Sequence, residues 1–145
     1  MFAVGTTHGQ IEFYHTKTSE LAATFDYGHP VQAIAFSENG YWFAAVGKRT
    51  TGITIFDLRQ EGEASKVKII EIGSSITDID WDYTGQFLAT AGPSGITVQQ
   101  YTKSSKSWSE PLRSAIPAAA IEWRKEATSL VAVNVDGVVS VLGAK

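Results

Sequence analysis

The 145-residue chain contains no cysteine. Disulfides, thiolate zinc sites and cysteine nucleophiles are therefore excluded, and the absence suits a reducing compartment. Proline is scarce, with four residues, three of them after position 90. No apolar run approaches the roughly 18 residues of a membrane-spanning helix. The opening MFAVGTTHGQ lacks the basic and apolar regions of a secretion signal. There is no basic block either. Twelve Lys and Arg against fifteen Asp and Glu give a net charge of −3, which argues against direct binding to a nucleic-acid backbone. No stripe of helical period stands out. What remains is 43% hydrophobic and 19% charged, a composition that folds. These features predict a soluble, intracellular single domain or part of one.

The stretch DIDWDYTG (78–85) carries three aspartates at alternate positions. An EF-hand loop would use oxygens at positions 1, 3 and 5, glycine at 6 and glutamate at 12. Asp78, Asp80 and Asp82 fit the first three, but Tyr83 and Ala89 stand at the last two. The alternation with Ile79 and Trp81 instead predicts a half-buried strand with one acidic, solvated face. It would run into a turn at Thr84 and Gly85.

That strand recurs. Ile34/Phe36, Ile79/Trp81 and Ile121/Trp123 repeat an isoleucine followed two residues later by an aromatic, at spacings of 45 and 42. The segments after each also agree: YWFAAVG (41–47), QFLATAG (86–92) and TSLVAVN (128–134). Then come GITIFDL (52–58), GITVQQY (95–101) and GVVSVLG (137–143). The N-terminal FAVGTTHGQIEFYH (2–15) matches the later half of a unit. A weaker fourth strand is placed at 20–26, 65–73 and near 106–114. Four short strands per ~42 residues predict the blades of a β-propeller. Blades would start near 31, 76 and 117, with 1–27 completing a preceding blade. Ile79 and Trp81 would pack between neighbouring sheets. The three aspartates fall where Ala33, Ala35 and Ser37 stand one unit earlier, which speaks against catalysis.

The units resemble WD40 repeats. Gly28-His29 matches that family's Gly-His step, and Phe56-Asp57 stands at its Trp-Asp dipeptide. Tyr14-His15 and Gln99-Gln100 depart from the dipeptide, and Lys48-Arg49 replaces an acidic turn. Much of the family's His–Ser/Thr–Asp–Trp network is therefore expected to be missing. The segments 34–60 and 76–101 are similar to the propellers of a more specific group, nuclear splicing factors that are ubiquitin ligases as whole chains. The final VDGVVSVLGAK resembles the end of those proteins. The resemblance implies an N-terminal U-box and a tetramerising coiled coil outside this segment, and a nuclear location. It implies spliceosomal proteins and ubiquitination substrates as partners, with no catalysis, cofactor, metal, membrane or direct nucleic-acid contact in the segment itself. A scaffold from an unrelated multiprotein complex is the alternative.

At ~42 residues each, the chain holds about 3.4 units of a larger, seven-bladed disc, and propellers need roughly 4–8 to close. It would begin at the second strand of a blade. Open terminal sheets are costly, so association with missing N-terminal blades is expected. A shortened chain that dimerises, or one stretch of a longer chain, are the other readings.

The resemblance puts the second-to-third-strand turns and the connections between blades on one rim: 6–9, 27–29, 48–51, 73–75, 93–94 and 134–136. Lys48, Arg49, His8, His29, Ser94 and Asn134 are the candidate partner-binding residues. Trp42 is read as packing between blades rather than as an exposed binding aromatic. Ser104–Trp108 is read as a polar loop, with phosphorylation the other reading. Gly47-Lys48 is no phosphate loop, since Trp42 stands where the upstream glycine belongs and Arg49 follows the lysine. His8, His15 and His29 show no zinc-ligand spacing, and no G-x-S-x-G elbow occurs.

Overall fold

The computed structural model describes residues 2–124 and 129–143. Among them the regular structure is β throughout, apart from one short 3-10 turn at Gly62–Ser65. The first sheet comprises β1 (Phe2–Gly5), β2 (Gln10–Tyr14) and β3 (Leu21–Asp26). The second comprises β4 (Val31–Phe36), β5 (Trp42–Gly47), β6 (Gly52–Asp57) and β7 (Lys66–Glu71). The third comprises β8 (Asp78–Trp81), β9 (Phe87–Gly92), β10 (Gly95–Thr102), β11 (Ser107–Trp108) and β12 (Leu112–Ser114). The fourth comprises β13 (Ala120–Trp123), β14 (Ser129–Val133) and β15 (Val139–Gly143). Each sheet is an antiparallel meander in chain order, with β11 and β12 both pairing β10. The all-β propeller architecture expected from the repeat is what forms.

Period-2 alternation gives each strand two faces, and in the second and third sheets both faces are apolar because each of these sheets lies between two others. In the second sheet Phe43, Ala45 and Phe56 face the first, joining Ile11, Phe13 and Phe25. Phe43 and Phe56 stack at 4.8 Å between ring centroids. Ala44, Val46, Ile53 and Ile55 face the other way, into a cluster with Ile79, Trp81 and Leu88 of the third sheet. A third cluster joins Ala89, Ala91 and Ile96 to Ile121, Leu130 and Ala132. Ile79 and Trp81 thus pack between sheets, as their spacing suggests, and half-buried Trp42 packs against the same cluster. Its indole meets Tyr101 edge-on at 4.9 Å.

Two local expectations are corrected. The outer strand near 106–114 is broken into β11 and β12. Pro111 stands between them, and a proline has no N–H to donate to the ladder. The stretch Ser104–Trp108 is not all loop, since Ser107 and Trp108 pair with Thr102 and Tyr101. Of the repeat segments, 125–128 lie outside the described residues.

Candidate functional site

The three aspartates do not form a solvated face. Asp78 and Asp80 point at the next sheet. Asp78 Oδ2 accepts the Ile121 backbone N–H at 2.9 Å, and Asp80 Oδ2 accepts that of Trp123 at 2.9 Å. The Trp123 indole N–H returns to the Asp80 carbonyl at 3.1 Å. Thr77 adds a bond from its hydroxyl to the Ala119 carbonyl at 3.0 Å. Burial pushes both carboxyls above the ordinary aspartate range, the Ile121 and Trp123 N–H bonds oppose this, and Glu122 reinforces it. Asp82 instead organises its own turn, accepting from the Gln86 and Phe87 N–H groups at 3.0 and 2.8 Å. These carboxylates fasten the third sheet to the fourth. The alternation in sequence shows their face but not that another sheet covers it.

Asp57, at the family's Trp-Asp position, is also spent internally. It is buried and accepts from Arg59 through the backbone N–H at 2.9 Å, Nε at 3.0 Å and NH2 at 2.7 Å. The guanidinium lies 3.7 Å from the Tyr41 ring centroid. The Arg59 hydrogen bonds hold the Asp57 carboxyl below its ordinary range, against the pull of burial.

The rim loops gather at one end of the strands. Val31 and Gly47 pair at that end of β4 and β5, and Gly52 and Glu71 at that end of β6 and β7. Backbone bonds tie the loops together. Val31 N–H reaches the Thr6 carbonyl at 3.2 Å across the first two sheets, Lys48 N–H reaches Pro30 at 2.8 Å, and Ile72 N–H reaches Thr51 at 2.9 Å. His8, His29, Lys48, Arg49 and Ser94 are exposed there. His15 sits in the β2–β3 turn at the other end, with its N–H bonded to the Glu20 carbonyl. Asn134 is half-buried, and its side-chain oxygen accepts from Asp136 and Val138 N–H at 2.9 Å each. Its oxygen therefore holds its own turn, leaving only the amide NH2 for a partner.

Arg49 has a φ of +61°. Side chains with a Cβ rarely adopt this left-handed conformation, which costs roughly 1–2 kcal/mol. The β1–β2, β9–β10 and β14–β15 turns place Gly9, Gly95 and Gly137 at their positive-φ positions. The β5–β6 turn alone among the four second-to-third-strand turns puts an arginine there. It is closed by the Thr50 N–H and hydroxyl on the Gly47 carbonyl, at 3.3 and 2.9 Å.

Two cavities accompany the rim and the sheet packing. One of about 400 Å³ lies between the third and fourth sheets and is mainly apolar, with Ile96, Val98, Leu112, Leu130 and Leu142 among its walls. The other, about 440 Å³, lies at the rim end of the third sheet, against the connection that leads into it from the second. Ser74, Ser75, Ser94, Ser114 and Arg113 line it. Sequence reasoning marked Ser94 and the 73–75 loop but passed over Arg113, which lies in the outer strand that its pattern places least well. Among the described residues, no three His, Asp or Glu side chains come together to hold a metal ion.

No protein-family profile matches the chain. It is 31% identical over 109 residues to "Pre-mRNA-processing factor 19" of Schizosaccharomyces pombe, covering 74% of this chain and 22% of that protein. It is 30% identical over 94 residues to the protein of that name from Oryza sativa subsp. japonica, covering 63% of this chain and 17% of the relative. The Dictyostelium discoideum protein of the same name is 31% identical over 101 residues, 67% of this chain and 19% of the relative. The matches thus span about a fifth of the length of these relatives. Among solved structures, "Kuenenia stuttgartiensis Hydrazine Synthase" superposes with a TM-score of 0.75 at 14% identity, over 93% of this chain and 40% of that one, a likeness of fold alone. The chain is a WD40-type β-propeller segment related to the pre-mRNA-processing factor 19 proteins.

Proposed function

We propose that this chain is the partner-recruiting part of a nuclear pre-mRNA-processing factor and acts by binding rather than catalysis. The observation that carries the reading is the similarity to pre-mRNA-processing factor 19 proteins of three organisms, over 63–74% of the chain. In the whole protein, spliceosomal proteins and ubiquitination substrates would dock on the propeller, while a U-box elsewhere would supply ligase activity and a coiled coil would assemble a homotetramer. The segment would complete its disc with further blades preceding it.

The mechanism is rigid display. The second and third sheets, buried on both faces, and the Asp78, Asp80 and Thr77 bonds that tie the third to the fourth support the rim loops, so a partner would find a surface that needs little ordering on binding. Lys48 and Arg49 are the charged residues offered, and Arg49 keeps a strained backbone at the turn's tip. Affinity capture from nuclear extract with the full-length protein tests this. Splicing proteins should be retained by the wild type and reduced by the Lys48→Glu/Arg49→Glu pair at unchanged thermal midpoint. Recovery of cytoplasmic complexes instead would count against a splicing role, and unchanged capture by the pair would remove these two residues from the site.

A further inference from the structure

The rim cavity has a composition suited to one kind of ligand. Its walls are the 72–76 connection, the 90–97 segment around the β9–β10 turn, and 113–115. All of its walls belong to the third sheet and its adjoining connections. Two glycines make the walls meet closely. A Cβ on Gly92 would collide with the Ser75 carbonyl oxygen, and one on Gly95 with that of Ser114. Arg113 is exposed and, among the described residues, is the only charged one in the lining. Its NH2 group donates to the Ile72 carbonyl at 3.1 Å, which fixes the guanidinium and leaves further donors of its fork for a ligand. Among the described residues, no carboxylate lines the cavity. Glu71, which directly precedes the wall residue Ile72 in sequence, accepts the Gly73 N–H through Oε1 at 3.0 Å.

One anchored guanidinium among serine hydroxyls, without an acid, is a recognition set for an anion. We propose that this cavity receives a carboxylate or phosphate carried on the side chain of an acidic peptide lying along the rim. The peptide's path is marked by the backbone. The Thr51 carbonyl accepts both the Ile72 and Gly73 N–H groups at 2.9 and 3.3 Å, so the turn bearing Lys48 and Arg49 abuts the cavity wall. A peptide seated on Arg113 would bring its neighbouring acids to these two cations. A single-stranded nucleic acid carries the same anion but needs aromatic faces for its bases. The aromatic cluster of Trp42, Trp81, Tyr101 and Trp108 belongs to the opposite end of the strands. The inference rests on the rim being the partner face proposed above.

Fluorescence anisotropy on the full-length protein tests it. The probes are a labelled glycine–serine peptide with spaced glutamates, its phosphoserine and lysine counterparts, and an oligouridine. The anionic peptides should bind and the lysine peptide should not; the tighter of the two anionic peptides identifies the anion. Arg113→Gln should weaken binding about tenfold or more, the usual scale for losing a charge-assisted bond. Ser94→Asp, at an exposed position, should weaken it too and serves if Arg113→Gln lowers the thermal midpoint. Unchanged affinity in these variants, tighter binding of oligouridine, or no binding of either anionic peptide would overturn the assignment. If Lys48→Glu/Arg49→Glu lowers nuclear-extract capture while Arg113→Gln leaves peptide affinity intact, the cavity assignment falls and the rim reading stands.

Discussion

Asp80 and Trp123 grip each other twice. The carboxylate accepts the tryptophan's backbone N–H at 2.9 Å, and the indole N–H donates to the aspartate's carbonyl at 3.1 Å. One residue of the third sheet thereby fixes both the main chain and the side chain of one residue of the fourth. The pair leads to a first prediction. Asp80→Ala removes an acceptor from a half-buried amide and should lower stability by about 1–3 kcal/mol. Asp80→Asn keeps an oxygen in place without a desolvated charge and should cost much less. Denaturant unfolding of the full-length protein at neutral pH would separate the two.

A second prediction concerns pH. Asp78 and Asp80 have carboxyls raised by burial in the folded state. Their favourable contribution is present below the unfolded carboxylate value, about 3.9, and is lost as pH rises through the raised folded value. Asp57, lowered by Arg59, has the opposite sign: its contribution is present above the unfolded value and fades as pH falls through the folded one. Mild acidification from neutrality should therefore raise the contribution of the Asp78/Asp80 pair before the Asp57 contribution is lost. Thermal midpoints across pH 2–8 should show a shallower slope just above the unfolded carboxylate value for Asp78→Asn/Asp80→Asn, and a shallower acid limb below it for Asp57→Asn.

Arg49 permits stability and binding to be moved in opposite directions. Arg49→Gly relieves a left-handed backbone strained by a Cβ, a gain of about 1 kcal/mol or less once the freer unfolded chain is counted. It also deletes a rim charge. The thermal midpoint should hold or rise while capture of nuclear partners falls. A lowered midpoint would show that the arginine side chain supports the turn.

The glycines of the β9–β10 turn make a fourth test. Gly92→Ala or Gly95→Ala places a methyl group against a carbonyl oxygen of an adjoining rim segment, and Gly95 has in addition a φ of +134°. Each should cost about 1–3 kcal/mol, and anionic-peptide binding should weaken with the displaced wall. Gly143→Ala, with nothing near its added Cβ, is the control and should leave both unchanged.

Much of this fold was legible because its signal is local. The Ile-x-aromatic pair marks β4, β8 and β13, and alternation marks which side chains face inward. Alternation does not tell whether the second face meets water or another sheet, which is why Asp78 and Asp80 read as solvated. Pro111 could have been taken as the break in the outer strand, since it cannot donate to the ladder. The rim cavity was legible only in part. Its walls come from segments some twenty residues apart in sequence, brought together by the meander of the third sheet, and Arg113 carries no local sign of the Ile72 carbonyl it holds. Asn134 looked like a free rim polar group because a side chain capping its own turn has the same composition as one awaiting a partner.

The fastening between the third and fourth sheets is aimed at main-chain N–H groups. Every residue except proline carries that group. These main-chain bonds therefore set where the strand at 121–123 runs without themselves dictating its side chains, which are constrained separately by the core around Ile121 and by the Trp123 indole bond. Substitutions there can accumulate on the side facing away from the aspartates while the sheet stays moored, whereas a proline at 121 or 123 would cut a mooring whatever its fit. Mutational scanning of β13 would accordingly reveal free side-chain change at the exposed Ala120 and Glu122, apolar constraint at buried Ile121, and intolerance of proline at 121 and 123, a freedom on one face that lets a disc diverge in sequence without shifting its blades.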